Sequence, residues 1–225
     1  MALVVRNAVK GYRGRTVLDI PYLRLEPGTR CGILGANGAG KTTLLRLLAG
    51  TLTPDSGTLA WEGAALRCGY LPQKPYAFGT TVLHNVMLGL EGSKTERRSR
   101  ALEALTQVGL ERLALARGNT LSGGEQQRMA LARLLARSWP MLLLDEPTSA
   151  ADLAGAELAE KALLAQPACQ SGLLVFTTHN PAQACRLANH LILLHQGRIA
   201  EQGKPEEVLF RPKSLEAQRF LAHIL

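Results

Sequence analysis

Hydrophobic positions change period twice along the chain. The opening segments, LVVRNAVKGY and RTVLDIPYLRLEPG, alternate apolar and polar residues between Gly and Pro turns, which predicts short β-strands. TRCGILGANGAGKTTLLRLLAG then reads as a strand, a glycine loop and a helix ending at Gly50. TPDSGTLAWEG predicts a turn and a strand, and CGYLPQ a further short strand. From about Lys74 to Ser138 the period becomes helical. VLHNVMLGL sets Val82, Leu83, Val86, Met87 and Leu90 on one stripe, and RRSRALEALTQVGL continues in the same way. Strands return in PMLLLDEP and GLLVFTTHN, whose apolar runs are continuous, as in a parallel sheet covered on both faces. LILLHQGRIAEQGKPEEVLF predicts a hairpin and then a helix with Pro205 in its first turn. No internal repeat or low-complexity linker interrupts this order. The expectation is one α/β domain over 1–225, with a core formed by 1–73 and 139–225 and a helical block, 74–138, inserted into it.

Composition narrows this little. The 225 residues are 46% hydrophobic and 20% charged, ordinary for a folded chain long enough to bury a core. A formal charge of +8 favours acidic partners without choosing among nucleotides, nucleic acid and anionic lipid. The densest basic run, KTERRSR at Lys94 to Arg100, has no interleaved aromatic residue for base stacking and reads as a solvated helix face, so no nucleic-acid partner is expected. Cys31, Cys68, Cys169 and Cys185 are scattered, with no CxxC pair, which argues against a zinc site and a disulfide framework and for a reducing compartment. No signal peptide and no apolar run of membrane-spanning length, about 18 residues or more, is present.

Chemistry concentrates at three places. GANGAGKT, Gly35 to Thr42, matches GxxxxGK followed by Ser or Thr at every fixed position, after a strand and before a helix. Such a loop cradles phosphates with the backbone of Gly35, Asn37, Gly38, Ala39 and Gly40. Lys41 adds a point charge, and Thr42 and Thr43 follow at the helix start, with the Thr42 hydroxyl placed to ligate Mg²⁺. The reading is a nucleoside triphosphate site. MLLLDEP ends an apolar strand in two acids: Asp145 at its C-terminal edge can reach the Mg²⁺ shell, and Glu146 can orient or deprotonate a water. LSGGEQQR, Leu121 to Arg128, is a hydroxyl and two glycines feeding a helix, a second anion cradle 81 positions beyond Lys41.

With these three motifs in this order, the chain resembles the ATPase cassette of ABC transporters over essentially its whole length. That resemblance implies a P-loop NTPase (RecA-like) core with an N-terminal antiparallel β subdomain and an inserted α-helical subdomain. It also implies ATP and Mg²⁺ as ligands and a head-to-tail pair of cassettes, a homodimer or a pairing with a second ABC cassette. In such a pair Ser122, Gly123 and Gly124 of one chain close on the phosphates held by the other, with the helix from Glu125 onward aimed at them. Gln73 in YLPQ matches the family's glutamine that senses γ-phosphate and Mg²⁺, and His179 after VFTT matches its histidine that contacts γ-phosphate. Tyr12, 29 positions before Lys41, matches the adenine-stacking aromatic, with core packing as the rival reading. Ala151 departs from the leucine of many relatives in the loop that ends at Asp152.

The resemblance further implies a peripheral subunit on the cytoplasmic side of the cell membrane, energising separate transmembrane permease subunits. QKPYAFGTTVLHNV offers Tyr76, Phe78, Leu83 and Val86 as a groove for a permease helix, with burial in the core as the alternative. This stretch resembles importer cassettes for oxyanions such as tungstate or molybdate, while YLPQ also suits metal-chelate importers. An exporter cassette and a soluble ABC ATPase, for example one in iron–sulfur cofactor assembly, remain open readings at this point. The chain stops soon after its final helical pattern, so no regulatory domain is expected after it.

Overall fold

The computed structural model describes residues 2–62 and 67–224. Three strands open the chain: β1 (Leu3–Tyr12), β2 (Arg15–Leu25) and β3 (Arg30–Leu34). Helix α1 (Lys41–Leu48) follows the glycine loop and stops at Gly50, whose φ of 67° is the left-handed closure expected of a glycine there. Next come β4 (Ser56–Trp61) and β5 (Cys68–Leu71). Gly63, the last residue of the TPDSGTLAWEG segment, falls outside the described residues. Between β5 and the next strand lie only helices and turns: α2 (Val82–Met87), α3 (Lys94–Gln107) and α4 (Gly123–Leu135), with two short 3-10 turns before α4. The chain then returns to the sheet through β6 (Met141–Asp145), α5 (Leu153–Leu164), α6 (Pro167–Gln170) and β7 (Leu173–Thr177). It ends in α7 (Pro181–Leu187), β8 (His190–His195), β9 (Arg198–Gly203), α8 (Pro205–Phe210) and α9 (Leu215–Leu221).

Two sheets result. β2-β1-β4 is antiparallel; β5-β6-β7-β3-β8-β9 is parallel except for its last strand, β9. The continuous apolar runs have the reason expected for covered strands. Along β6, Met141 and Leu143 point into a core shared with α1 and the antiparallel sheet, while Leu142 and Leu144 point into the core shared with the helical block. Along β7, Leu173 and Val175 share the first core, Leu174 and Phe176 the second. Burying a side chain such as Phe176 stabilises by about 1.5–3 kcal/mol. The loops after β3, β6 and β7 all open at the carboxyl edge of the parallel strands, where open α/β sheets take ligands.

The helical segment is held together by Asn85, which is completely buried on α2. Its Nδ2 donates to the carbonyls of Phe78, Thr80 and Thr81, and its Oδ1 accepts from Phe78 N–H and from Arg133 Nη2 of α4. Arg133 also donates from Nε to the Asn85 carbonyl at 2.9 Å. The stripe on α2 is core: Val82, Leu83, Val86 and Leu90 are all buried, although the helix itself stops at Met87. Leu83 and Val86 therefore do not line a groove, because an amphipathic helix turns its apolar stripe inward. Tyr76 and Phe78 do stand exposed, edge to face at 4.8 Å between ring centroids. No helix among the described residues is long and apolar enough to cross a membrane.

Candidate functional site

The phosphate loop links the end of β3 to α1. A Cβ at Gly35 would lie 2.3 Å from the Leu194 carbonyl oxygen, and one at Gly40 2.9 Å from that of Val17, so neighbouring backbone leaves room for glycine alone. The loop curls around Lys41, whose Nζ donates to the carbonyls of Gly35 at 2.7 Å and Ala36 at 3.1 Å. Lys41 is only 7% exposed. Burial draws its ammonium below the ordinary lysine range, and the carboxylates of Glu146 and Asp145 oppose that shift. Thr42 and Thr43 follow on the first turn of α1. Gly35, Ala36 and Asn37 share a cavity of about 590 Å³ with His179.

The two acids lie across β7 from the loop. Asp145 is 1% exposed; its Oδ1 accepts from Thr177 Oγ1 at 2.6 Å, and its Oδ2 is buried with no hydrogen-bond partner among the described residues. An orphaned buried carboxylate oxygen is costly unless a cation takes it, which is the donor chemistry Mg²⁺ requires. Glu146 follows at φ 50°, and its Oε2 lies 3.3 Å from Gln73 Nε2 and 3.5 Å from His179 Nδ1. Residues 73, 146 and 179 thus meet at one carboxylate although they are far apart in the chain. The Gln73 amide nitrogen is engaged there, so its Oε1 is the atom a cation would take.

Ser122 caps α4, which begins at Gly123, two residues earlier than the helix start expected at Glu125. The cap is reciprocal: Ser122 Oγ accepts from Glu125 N–H, and the Glu125 carboxylate accepts from Ser122 N–H and Oγ at 2.8 Å each. These bonds hold the Glu125 carboxyl below its usual range. The S-x-x-E spacing of LSGGE is the sequence signature of such a cap. A Cβ at Gly124 would strike the Ala150 carbonyl at 2.4 Å, whereas none of the described residues comes within 4 Å of one at Gly123. One glycine packs against the chain and the next lies open. Among the described residues, no hydrogen bond joins Ser122 to residues 35–43. Tyr12 ends β1 and is 44% exposed, which removes the core alternative; the Lys10 ammonium lies 5.8 Å from its ring centroid.

The sequence pattern that defines the family described as ABC transporter matches residues 18–149, more than half of the chain. The chain belongs to this family. The cassette is an ATPase, and its fold is the α/β, P-loop NTPase architecture of ABC ATPases. It is 36% identical over 239 residues to the Fe(3+) ions import ATP-binding protein FbpC 2 of Pectobacterium atrosepticum, covering 99% of this chain and 68% of that relative. It is 36% identical over 244 residues to the phosphate import ATP-binding protein PstB 2 of Natronomonas pharaonis, covering 97% and 86%. A solved dimeric ATP-binding cassette in a post-hydrolysis state with ADP and Pi superposes with a TM-score of 0.82 at 29% identity, covering 90% of this chain and 98% of that one. The relatives' names speak of ferric iron and phosphate, and give no support to the tungstate or molybdate expectation.

Sequence reasoning passed over Thr177 and Gln127, which contact Asp145 and Glu146 directly. VFTTH carries a functional candidate in its histidine, and the second glutamine of LSGGEQQR lies within a polar run that leads into a helix. No local pattern marks either residue. Thr177 is found only by aligning β6 with β7, where Asp145 and Thr177 are register partners.

Proposed function

We propose that this cassette is the ATP-hydrolysing subunit of a solute importer, working as one of a pair with separate permease chains at the cytoplasmic face of the membrane. The observation that carries the catalytic part is the convergence of Gln73, Glu146 and His179 at one carboxylate, close to a buried Lys41 and an orphaned Asp145 oxygen. Glu146 orients a water toward the terminal phosphate and accepts its proton. Lys41 offsets negative charge on the transferring phosphoryl, and His179 contacts the same group. Asp145, Thr42 and Gln73 would hold Mg²⁺, which when bound neutralises charge on the phosphate oxygens. The glycine loop holds the phosphates through Gly35, Asn37, Gly38, Ala39, Gly40 and Thr43, and Tyr12 stacks on the base. Ser122, Gly123 and Gly124 act on the ATP of the partner chain, which fits an exposed Ser122 whose side chain bonds only within its own cap.

The import direction and the cargo class, an inorganic ion such as ferric iron or phosphate, rest on the names of the relatives. Tyr76 and Phe78 supply an exposed aromatic pair beside α2 for the permease. The test is purification of the native complex, followed by uptake of radiolabelled ferric ion and phosphate in cells with and without the cassette. A co-purifying polytopic protein and a lost uptake are expected; soluble partners alone, or unchanged uptake of both ions, would overturn the import reading.

A further inference from the structure

Glu146 has a left-handed backbone, at φ 50°, and is not a glycine. A side chain in that region is strained, and the conformation persists only where neighbours over-determine it. Both peptide groups of Glu146 are held by side chains from other elements. Its N–H donates to Thr177 Oγ1 at 2.9 Å, and its carbonyl accepts from Gln127 Nε2 at 2.5 Å. Thr177 and Gln127 are buried, at 0% and 2% exposure.

We propose that Thr177 and Gln127 are positioning residues for hydrolysis: together they clamp the Glu146 peptide in its left-handed conformation and so aim its carboxylate at the attacking water. The inference rests on the reading of Glu146 as general base. Thr177 is the residue type the task needs. A valine would suit β7 equally well, since both are β-branched. A buried hydroxyl is costly unless its bonds are made, and here it donates to Asp145 Oδ1 at 2.6 Å while accepting from Glu146 N–H. One oxygen thereby sets both acids. Gln127 uses both ends of its amide too, because its Oε1 accepts from Ala150 N–H at 3.0 Å. It spans the segment after Glu146 from the helix that Ser122 caps, so the base and the second phosphate cradle share one rigid support.

The variants Thr177→Ser and Thr177→Ala differ by one oxygen atom, so their ratio reads the hydroxyl alone. Steady-state hydrolysis and ATP affinity would be measured on both, on Gln127→Met, and on each combined with Glu146→Gln. Thr177→Ala and Gln127→Met should lose on the order of 10²-fold in kcat, the cost of misplacing a reacting group by about an ångström, while ATP affinity holds and Thr177→Ser stays near wild type. Because Gln127 bonds the Glu146 segment and not Asp145, Gln127→Met should lower the rate no further in a Glu146→Gln background, whereas Thr177→Ala also releases Asp145. Equal kcat for the Ser and Ala variants, or a Gln127→Met loss that multiplies with Glu146→Gln, would overturn the clamp. Wild-type turnover by Glu146→Gln itself would instead remove the base assignment, which keeps the two failures apart. Should Gln127→Met not fold, the Ser and Ala pair still decides the matter.

Discussion

Glu146 carries the proposed proton transfer; a histidine and an amide lie beside its carboxylate, and the Thr177 hydroxyl holds its own peptide N–H. Losing a general base costs about 10²- to 10⁴-fold in rate. Glu146→Gln is therefore expected to bind ATP and scarcely hydrolyse it, which nucleotide binding and phosphate release measured side by side would check. A second residue-scale expectation concerns Gly35, whose missing Cβ leaves room for the Leu194 carbonyl. Gly35→Ala forces backbone to shift, and a loss of about 1–3 kcal/mol in denaturant unfolding, together with weakened ATP binding, should follow. Lys41, Asp145 and Glu146 were legible in the sequence because each is fixed by local pattern: a glycine loop before a helix, or acids ending an apolar strand. Thr177 and Gln127 were not, because what they do depends on bonds across β6 and β7 and from α4.

At the scale of elements, α4 shows one stretch serving two ends. Its N-terminus is closed by Ser122 and Glu125, and its last turn anchors Arg133 to Asn85. Ser122→Ala should destabilise by about 1 kcal/mol through the lost cap. The Glu125 carboxyl is held below its ordinary value, so the capping contribution is present above the usual glutamate range and fades as pH falls through the depressed value. The alanine variant should accordingly lose less stability on acidification than wild type, which unfolding curves between neutral and acid pH would reveal. Asn85→Ala leaves the Phe78 N–H and carbonyl without the Asn85 amide, while the Thr80 and Thr81 carbonyls keep backbone N–H donors from residues 118 and 85. A cost of about 1–3 kcal/mol is expected in thermal or denaturant unfolding. The helical period of VLHNVMLGL told where α2 lies and which stripe is apolar. It did not tell what the stripe faces, and Leu83 and Val86 went to the core.

At the scale of the whole molecule, the two anion cradles lie on different elements, and no hydrogen bond among the described residues joins Ser122 to the phosphate loop. In the proposed head-to-tail pair each ATP would take Lys41 from one chain and Ser122 from the other. A mixture of Lys41→Ala chains with Ser122→Ala chains should then hydrolyse ATP faster than either variant alone, since every mixed pair contains one site with both residues intact. Equal rates for the mixture and the separate variants would show that the cradles do not work in trans.

The sequence by itself determined the order of elements, the phosphate loop, the acidic strand end and the second cradle, because each is written in contiguous residues whose period, glycines and charge act locally. Only the tertiary structure decided that Gln73 and His179 share the Glu146 carboxylate, that Asp145 keeps one oxygen unpartnered, and that Thr177 and Gln127 grip the Glu146 peptide. These relations join residues brought together by a parallel sheet whose strand order departs from chain order. Adjacency of that kind comes from packing and register, and no local stretch of the chain encodes it.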